Sequence, residues 1–199
     1  IKVLGDQTVG GRRFTSEDPL NPQDPYSISK AEAEMGLKKI MDQSDMDVVI
    51  IRPPLVYGQG VKGNFASLLK LASLSVPLPF GAIENRRSLV SLENLVDLIC
   101  TCLDHPNAKN QTFLISDDYD MSTPELCRLL AKTGGYNSHI FWFPGSLLWL
   151  GLSLIGKKAV YERLFGSMEV DIDFTKSQLN WKPPYKVKDS IVNCWPSID

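Results

Sequence analysis

The sequence predicts an α/β fold, part of a parallel sheet with a smaller mixed α/β lobe beside it, and three observations carry the prediction. Tyr26 to about Met41 is a run of strong helix formers with Glu and Lys on an exposed face. Val48-Val49-Ile50-Ile51 then forms an apolar β-branched run of the kind found in strands buried on both faces. Preceded by a strand-like segment and a loop, this helix and strand give the order of an α/β protein with parallel neighbours. Beyond residue 60 the elements become short and mixed, which suits a second lobe, and no repeat is visible.

Taken in order, Ile1-Lys2-Val3-Leu4 reads as the tail of a strand. A polar loop follows through Gly10-Gly11 and the turn-rich stretch Asp18 to Pro25. After the helix and the buried strand, Pro53 to Gly63 is expected as a loop. Next come a helix at about Phe65 to Leu74, extended chain at Arg87 to Val90, a helix at about Leu92 to Leu103 and a strand at Thr112 to Ser116. Ser122-Thr123-Pro124-Glu125 is a helix start: the hydroxyl of Ser122 or Thr123 can accept an orphan backbone N–H, and a proline in the first turn forfeits no bond. Phe141 to Ile155 is the most apolar run, too short and too interrupted by Pro144-Gly145 to span a bilayer as a simple helix. It is expected as a buried core helix. The alternative is an interfacial helix that dips Trp149 and its leucines into a membrane.

Composition narrows the function classes. With 199 residues, 43% hydrophobic and 22% charged, the chain is long enough to bury a core of ordinary globular type. A net charge of −2 and scattered basic residues supply no field for a nucleic-acid backbone, so nucleic acid is not expected as a partner. The four cysteines, Cys100, Cys102, Cys127 and Cys194, lack metal-ligand spacing, so no metal site is expected and reduced thiols in a cytoplasmic protein are the simplest reading. The opening residues include neither a signal peptide nor an initiator methionine, so residue 1 is expected to be an internal position of a longer protein.

Tyr26 and Lys30 form the one Tyr-x-x-x-Lys pair in the sequence. On a helix that spacing puts a phenol and an ammonium on one face, one turn apart. A phenol is a poor base at neutral pH, but a fixed cation beside it favours the phenolate, which suits proton transfer at a sugar or alcohol hydroxyl. The pair alone is weak evidence, since two solvent-facing helix residues can share the spacing by chance.

Three blocks in order add weight: Ile1-Lys2-Val3-Leu4-Gly5, then Asp24-Pro25-Tyr26-Ser27-Ile28-Ser29-Lys30, then Ile51-Arg52-Pro53-Pro54-Leu55-Val56-Tyr57-Gly58. In content and spacing they resemble the extended short-chain dehydrogenase/reductase family, in its nucleotide-sugar epimerase/dehydratase branch. The resemblance implies the C-terminal part of a Rossmann-like fold: residues 1–60 as the second half of the dinucleotide domain and 61–199 as mainly a substrate-binding lobe, with some segments returning to the sheet. It implies Tyr26 as acid/base, Lys30 as the group that binds the nicotinamide ribose and stabilises the phenolate, and Pro53 and Leu55 beside the cofactor. The cofactor implied is NAD, with NADP left open because the residue that selects between them would precede residue 1. The family's glycine-rich turn and its Ser or Thr would precede it as well, so the chain by itself is expected to be inactive.

The resemblance continues in the second half. It assigns Asn64 and Phe65, at a helix start, to a nucleotide diphosphate, Phe80 to the lining of the base, and Arg87 to a phosphate, for which a bidentate guanidinium is suited. Arg163 is a stand-in for a further arginine of some members. Leu55 departs from the asparagine of many epimerases. Asp171 is expected as a helix cap, and Leu179-Asn180-Trp181 resembles the family's closing signature. Ile1 and Lys2 stand where 4,6-dehydratases carry an acid pair, which disfavours elimination of water. The pattern is most similar to bacterial 4-epimerases of UDP-N-acetylhexosamines, such as UDP-N-acetylglucosamine, from O-antigen and other polysaccharide synthesis. Some relatives act on polyprenol-diphosphate-linked sugars, for which 141–155 would offer a peripheral contact at the inner face of the membrane. Two alternatives stay open: a 4-keto-sugar reductase of the same fold, and a non-catalytic nucleotide-sugar or NAD(P)-sensing protein. A homodimer through the Tyr26 helix is also implied, with Ala31, Ala33, Met35 and Ile40 serving either core or interface.

Overall fold

The computed structural model describes residues 1–195, so the last four residues of the expected 61–199 lobe lie outside it. The fold is mixed α/β, and every strand pair in it is parallel. Helix α1 (Pro25–Gln43) leads to strand β1 (Ile50–Arg52), β2 (Leu55–Tyr57), α2 (Gly63–Ser73) and β3 (Pro77–Leu78). Then come β4 (Leu89–Ser91), α3 (Leu92–Asp104), β5 (Thr112–Leu114), α4 (Thr123–Thr133) and β6 (His139–Ile140). The chain ends in α5 (Gly145–Leu154), α6 (Lys158–Phe165), α7 (Asp173–Leu179) and the short α8 (Val187–Ser190). β1 pairs with β5, β2 with β4, and β3 with β6.

Side-chain caps close the starts of α1, α3 and α4. Asp24 caps α1, Ser91 caps α3, and at α4 the Ser122 side chain takes the Glu125 N–H while Glu125 reaches back to the Ser122 N–H. Proline occupies the first turn of α1 and of α4. At the far end Asp171 accepts the Asp173 N–H at 2.8 Å, and α7 stops at Asn180 in the left-handed region (φ 46°). Trp181 follows it into the core, where its indole N–H reaches Asp97 at 2.6 Å.

The largest core cluster joins Val3, Leu4 and Ala31 from the first sixty residues to Val90, Leu98, Phe113, Ile115, Val170 and Trp181 from the remainder. The loop after residue 7 is held by the same remote segment: Thr8 bridges to Ser167 and Phe14 to Val170. A second cluster centres on Tyr57 and Phe65, whose rings stack at 5.5 Å, and a third on Leu78, Phe80 and Ile83.

Four expectations need correction. Ile1 to Leu4 is not a strand tail: Lys2–Leu4 is one 3-10 turn whose bonds close locally, because no described strand lies alongside to take them. The strand at Val48 to Ile51 is only half-buried, since β5 is its one neighbour among the described residues. The expected loop from Pro53 contains β2, whose backbone bonds are taken by the distant strand β4 alongside it. Phe141 to Ile155 is not a buried core helix: α5 has no buried residue and packs mainly on α6.

Candidate active site

Tyr26 occupies the first turn of α1, and that turn is tied down from several sides. The Asp24 carboxylate accepts the Ser27 N–H at 2.6 Å, while the Ser27 hydroxyl accepts the Asp24 N–H at 3.0 Å. Lys2 donates to Asp24 at 2.7 Å, and this bond, with those from Ser27, lowers the Asp24 carboxyl to about 2. One face of α1 buries Ser27, Ala31 and Glu34, and along the edge of that face Tyr26 and Lys30 are exposed to solvent, in line with Glu34 at four-residue steps. Tyr26 is 62% exposed, and the Lys30 ammonium stands 5.7 Å from the centroid of its ring. Among the described residues Lys30 has no carboxylate within ion-pair reach, so its donors are available to a ligand.

A buried ion pair, not foreseen from the sequence, fixes this helix to the sheet. Glu34 on α1 receives Nε of Arg52 at 3.1 Å and Nη2 at 2.7 Å, a bidentate contact to the last residue of β1. A groove of about 450 Å³, walled by residues including Leu4, Gly5, Arg12, Phe14 and Asn21, runs up to Gln23. Gln23 gives its N–H to the Ser27 hydroxyl, so the groove ends beside the cap of the Tyr26 helix.

A second cluster forms from three distant segments. Arg163 on α6 donates to the Asn64 side chain at 3.0 Å, and Arg87 donates to the backbone carbonyl of Arg163. The Arg163 guanidinium thereby meets the first turn of α2, where backbone N–H groups lack intrahelical partners and the helix dipole favours an anion, and Arg87 is tied to the backbone of the same arginine. Burial pushes Arg87 below the ordinary arginine value, and a guanidinium stays charged nonetheless.

The other expected site residues are placed differently. Phe65 and Phe80 are core side chains, at 0% and 5% exposure, which leaves only their backbone to meet a ligand. Their apolar rings are worth more against Tyr57 and against Ile83 than in a polar site. Leu55 is half-buried against the second core cluster, and the Pro53 carbonyl accepts the Ile1 N–H at 3.0 Å.

Sequence reading also missed a buried network under the site. Tyr57 donates to Asp117 at 2.6 Å, and the other Asp117 oxygen accepts the Ser91 N–H and the Asn94 amide. Burial raises both the Asp117 carboxyl and the Tyr57 phenol. The one sequence signal for it is an acid directly after the apolar strand Thr112 to Ser116.

If the Asn64–Arg163 cluster takes a diphosphate, exchanging Arg87 for Lys is expected to raise KM roughly 10- to 100-fold with a smaller change in kcat, because the planar fork is lost while the charge stays. Steady-state kinetics would show it, and an unchanged KM would take Arg87 out of substrate binding.

Residues 2–116 match the family described as NAD dependent epimerase/dehydratase. Among known proteins the chain is similar to a UDP-glucose 4-epimerase of Vibrio cholerae, at 50% identity over 95% of the chain and 58% of that relative. It is similar, at 28% identity over 59% of the chain and 37% of the relative, to the N-acetyl-α-D-glucosaminyl-diphospho-ditrans,octacis-undecaprenol 4-epimerase of Escherichia coli O157:H7. In fold it matches a UDP-glucuronic acid 4-epimerase of Bacillus cereus solved with NAD, with a TM-score of 0.74 at 17% identity, over 96% of the chain and 55% of that one. The chain thus spans a little over half the length of the Vibrio and Bacillus proteins. By the family match and the half-identity to the Vibrio protein, it belongs to the NAD dependent epimerase/dehydratase family.

Proposed function

We propose that the whole protein is an NAD-dependent 4-epimerase of a UDP-activated hexose, acting in the cytoplasm, and that this chain supplies its acid/base pair and its diphosphate site. The observation that carries the reading is the exposed Tyr26–Lys30 pair on a helix anchored by the Asp24 cap and the Arg52–Glu34 bridge. The pair fits the nicotinamide ribose: a free ammonium and a phenol, one turn apart and open to solvent, match two adjacent ribose hydroxyls. NAD, when bound, supplies reversible hydride transfer at the sugar carbon. Lys30 would hold the ribose and favour the Tyr26 phenolate, which would take the proton from the C4 hydroxyl and later return it to the oxygen on the other face. Pro53 and Leu55, on the β1–β2 connection, would wall the nicotinamide. Asn64, Arg87 and Arg163 would hold the diphosphate, with Phe65 and Phe80 contributing backbone only, so that the sugar can turn over while its nucleotide stays fixed.

On this reading residues 1–60 complete a dinucleotide domain and most of 61–199 forms the substrate lobe. A homodimer would use the apolar residues that α1 leaves outside, Ile28, Met35, Leu37 and Ile40, whereas Ala31 is spent on the core.

The test is to incubate the full protein separately with UDP-glucose and with UDP-N-acetylglucosamine, without added reductant, and to follow the sugar by NMR. The name of the Vibrio relative supports the first sugar, and the second is carried by the motif resemblance, with one Escherichia coli relative named for an N-acetylglucosaminyl group linked to a polyprenol. A 4-epimer from either is expected. No epimer from either sugar while NAD is bound would overturn the reading, and stoichiometric NADPH consumption by a 4-keto sugar would establish the reductase instead.

A further inference from the structure

Helix α5 is the most apolar helix of the chain, and none of its residues is buried. Leu148 and Leu152 are half-covered on one side of it. Leu147, Leu150 and Leu154, at i, i+3 and i+7, make an outward row, and Trp149 is exposed on the flank of the helix beside it. Trp142 before the helix and Ile155 after it are also exposed, at 70% and 64%. Single exposed apolar side chains are ordinary, whereas a leucine row with exposed apolar residues on its flank and at both ends of one helix marks a contact surface.

Charge selects the partner. The chain as a whole carries −2, yet from Phe141 to Gly166 its cations Lys157, Lys158 and Arg163 face one acid, Glu162. Lys157 and Lys158 follow the apolar face directly, and both are exposed. A second copy of the chain would bring an equally cationic segment against this one, while anionic lipid headgroups would neutralise it. Tryptophans and lysines at the rim of a leucine face are the chemistry of a helix lying in the headgroup layer. Among the described residues no helix is long and apolar enough to cross a membrane, so the contact would be peripheral.

We propose that α5 docks on the surface of an anionic lipid bilayer, with Leu147, Trp149, Leu150 and Leu154 among the acyl chains and Lys157 and Lys158 against headgroup phosphates. The inference stands on the exposed face and its charge and does not need the epimerase reading.

The test is co-sedimentation of the full protein with vesicles of phosphatidylglycerol and phosphatidylethanolamine, against vesicles of phosphatidylcholine alone. Binding is expected to the first, weakening with salt, and about tenfold or more weaker to the second. The pair Trp149→Glu and Leu150→Glu is expected to abolish it, and the pair Lys157→Glu and Lys158→Glu to weaken it about tenfold or more. Thermal unfolding of each variant reports whether it folds, and Trp142→Ser, outside the helix, is a second apolar variant expected to weaken binding. No binding by the folded parent protein, equal binding to both vesicles, or binding retained after Trp149→Glu and Leu150→Glu would overturn the proposal. So would a dimer that dissociates on Trp149→Glu while the parent ignores vesicles, because the occupant of the face would then be a second copy.

Discussion

Tyr26→Phe is expected to lower turnover of the full protein by about 10²- to 10⁴-fold, the contribution of a positioned general acid/base, without changing how the protein folds. The separation of the two effects follows from the geometry. Tyr26 is largely exposed, and its phenol has no hydrogen-bond partner among the described residues, so deleting one oxygen removes no native contact. The cap that holds the first turn of α1 uses Asp24 and Ser27, which the substitution leaves alone. Stability should therefore stay within about 0.5 kcal/mol, as for surface changes in general. Measuring kcat beside the urea midpoint checks both halves. Turnover within tenfold of the parent would remove Tyr26 from the chemistry, and a matching fall in stability would make its role structural.

Glu34→Ala is expected to cost about 3–5 kcal/mol, the penalty for leaving one member of a buried ion pair without its partner. The Arg52 side chain is 4% exposed and that of Glu34 12%, so solvent screens the pair little. Once Glu34 is gone, the remaining acceptor for the Arg52 guanidinium is the Ser16 carbonyl, at a long 3.4 Å. Joint replacement, Glu34→Leu with Arg52→Met, should recover most of the loss, because two apolar side chains of similar volume bury no charge. Equilibrium urea unfolding of the single and double variants gives the comparison. A single-variant loss below about 1 kcal/mol would show that water reaches the pair. The bridge also joins the helix bearing Tyr26 to β1, so the single variant should lose activity along with stability.

Two helix starts and one helix end could be read from the residues alone. Asp24-Pro25 and Ser122-Thr123-Pro124-Glu125 announce α1 and α4, and Asn180 before Trp181 announces where α7 stops. Caps of this kind act between residues two to four apart, so no distant neighbour is needed to interpret them. The Tyr26–Lys30 pair was legible for the same reason, since one helical turn sets its spacing. The second cluster was legible only as names: Asn64, Arg87 and Arg163 could each be pointed to, but nothing in their spacing says that they meet across 76 and 99 residues of chain.

By itself, then, the sequence determined the α/β class, the starts of α1 and α4, the end of α7 and the paired phenol and ammonium, all of which depend on neighbours within a turn or on the period of apolar residues. Tertiary structure alone decided the rest. It made Lys2–Leu4 a turn where a strand had no partner, built β2 in an apparent loop, put Phe65 and Phe80 into the core, and closed the Arg52–Glu34 and Tyr57–Asp117 contacts. It also left α5, the most apolar stretch of the chain, uncovered. The reason is common to all of these: strand pairing, burial and buried polar bonds depend on what a distant segment offers at the same place, and hydrophobicity states that a surface needs a partner without naming it.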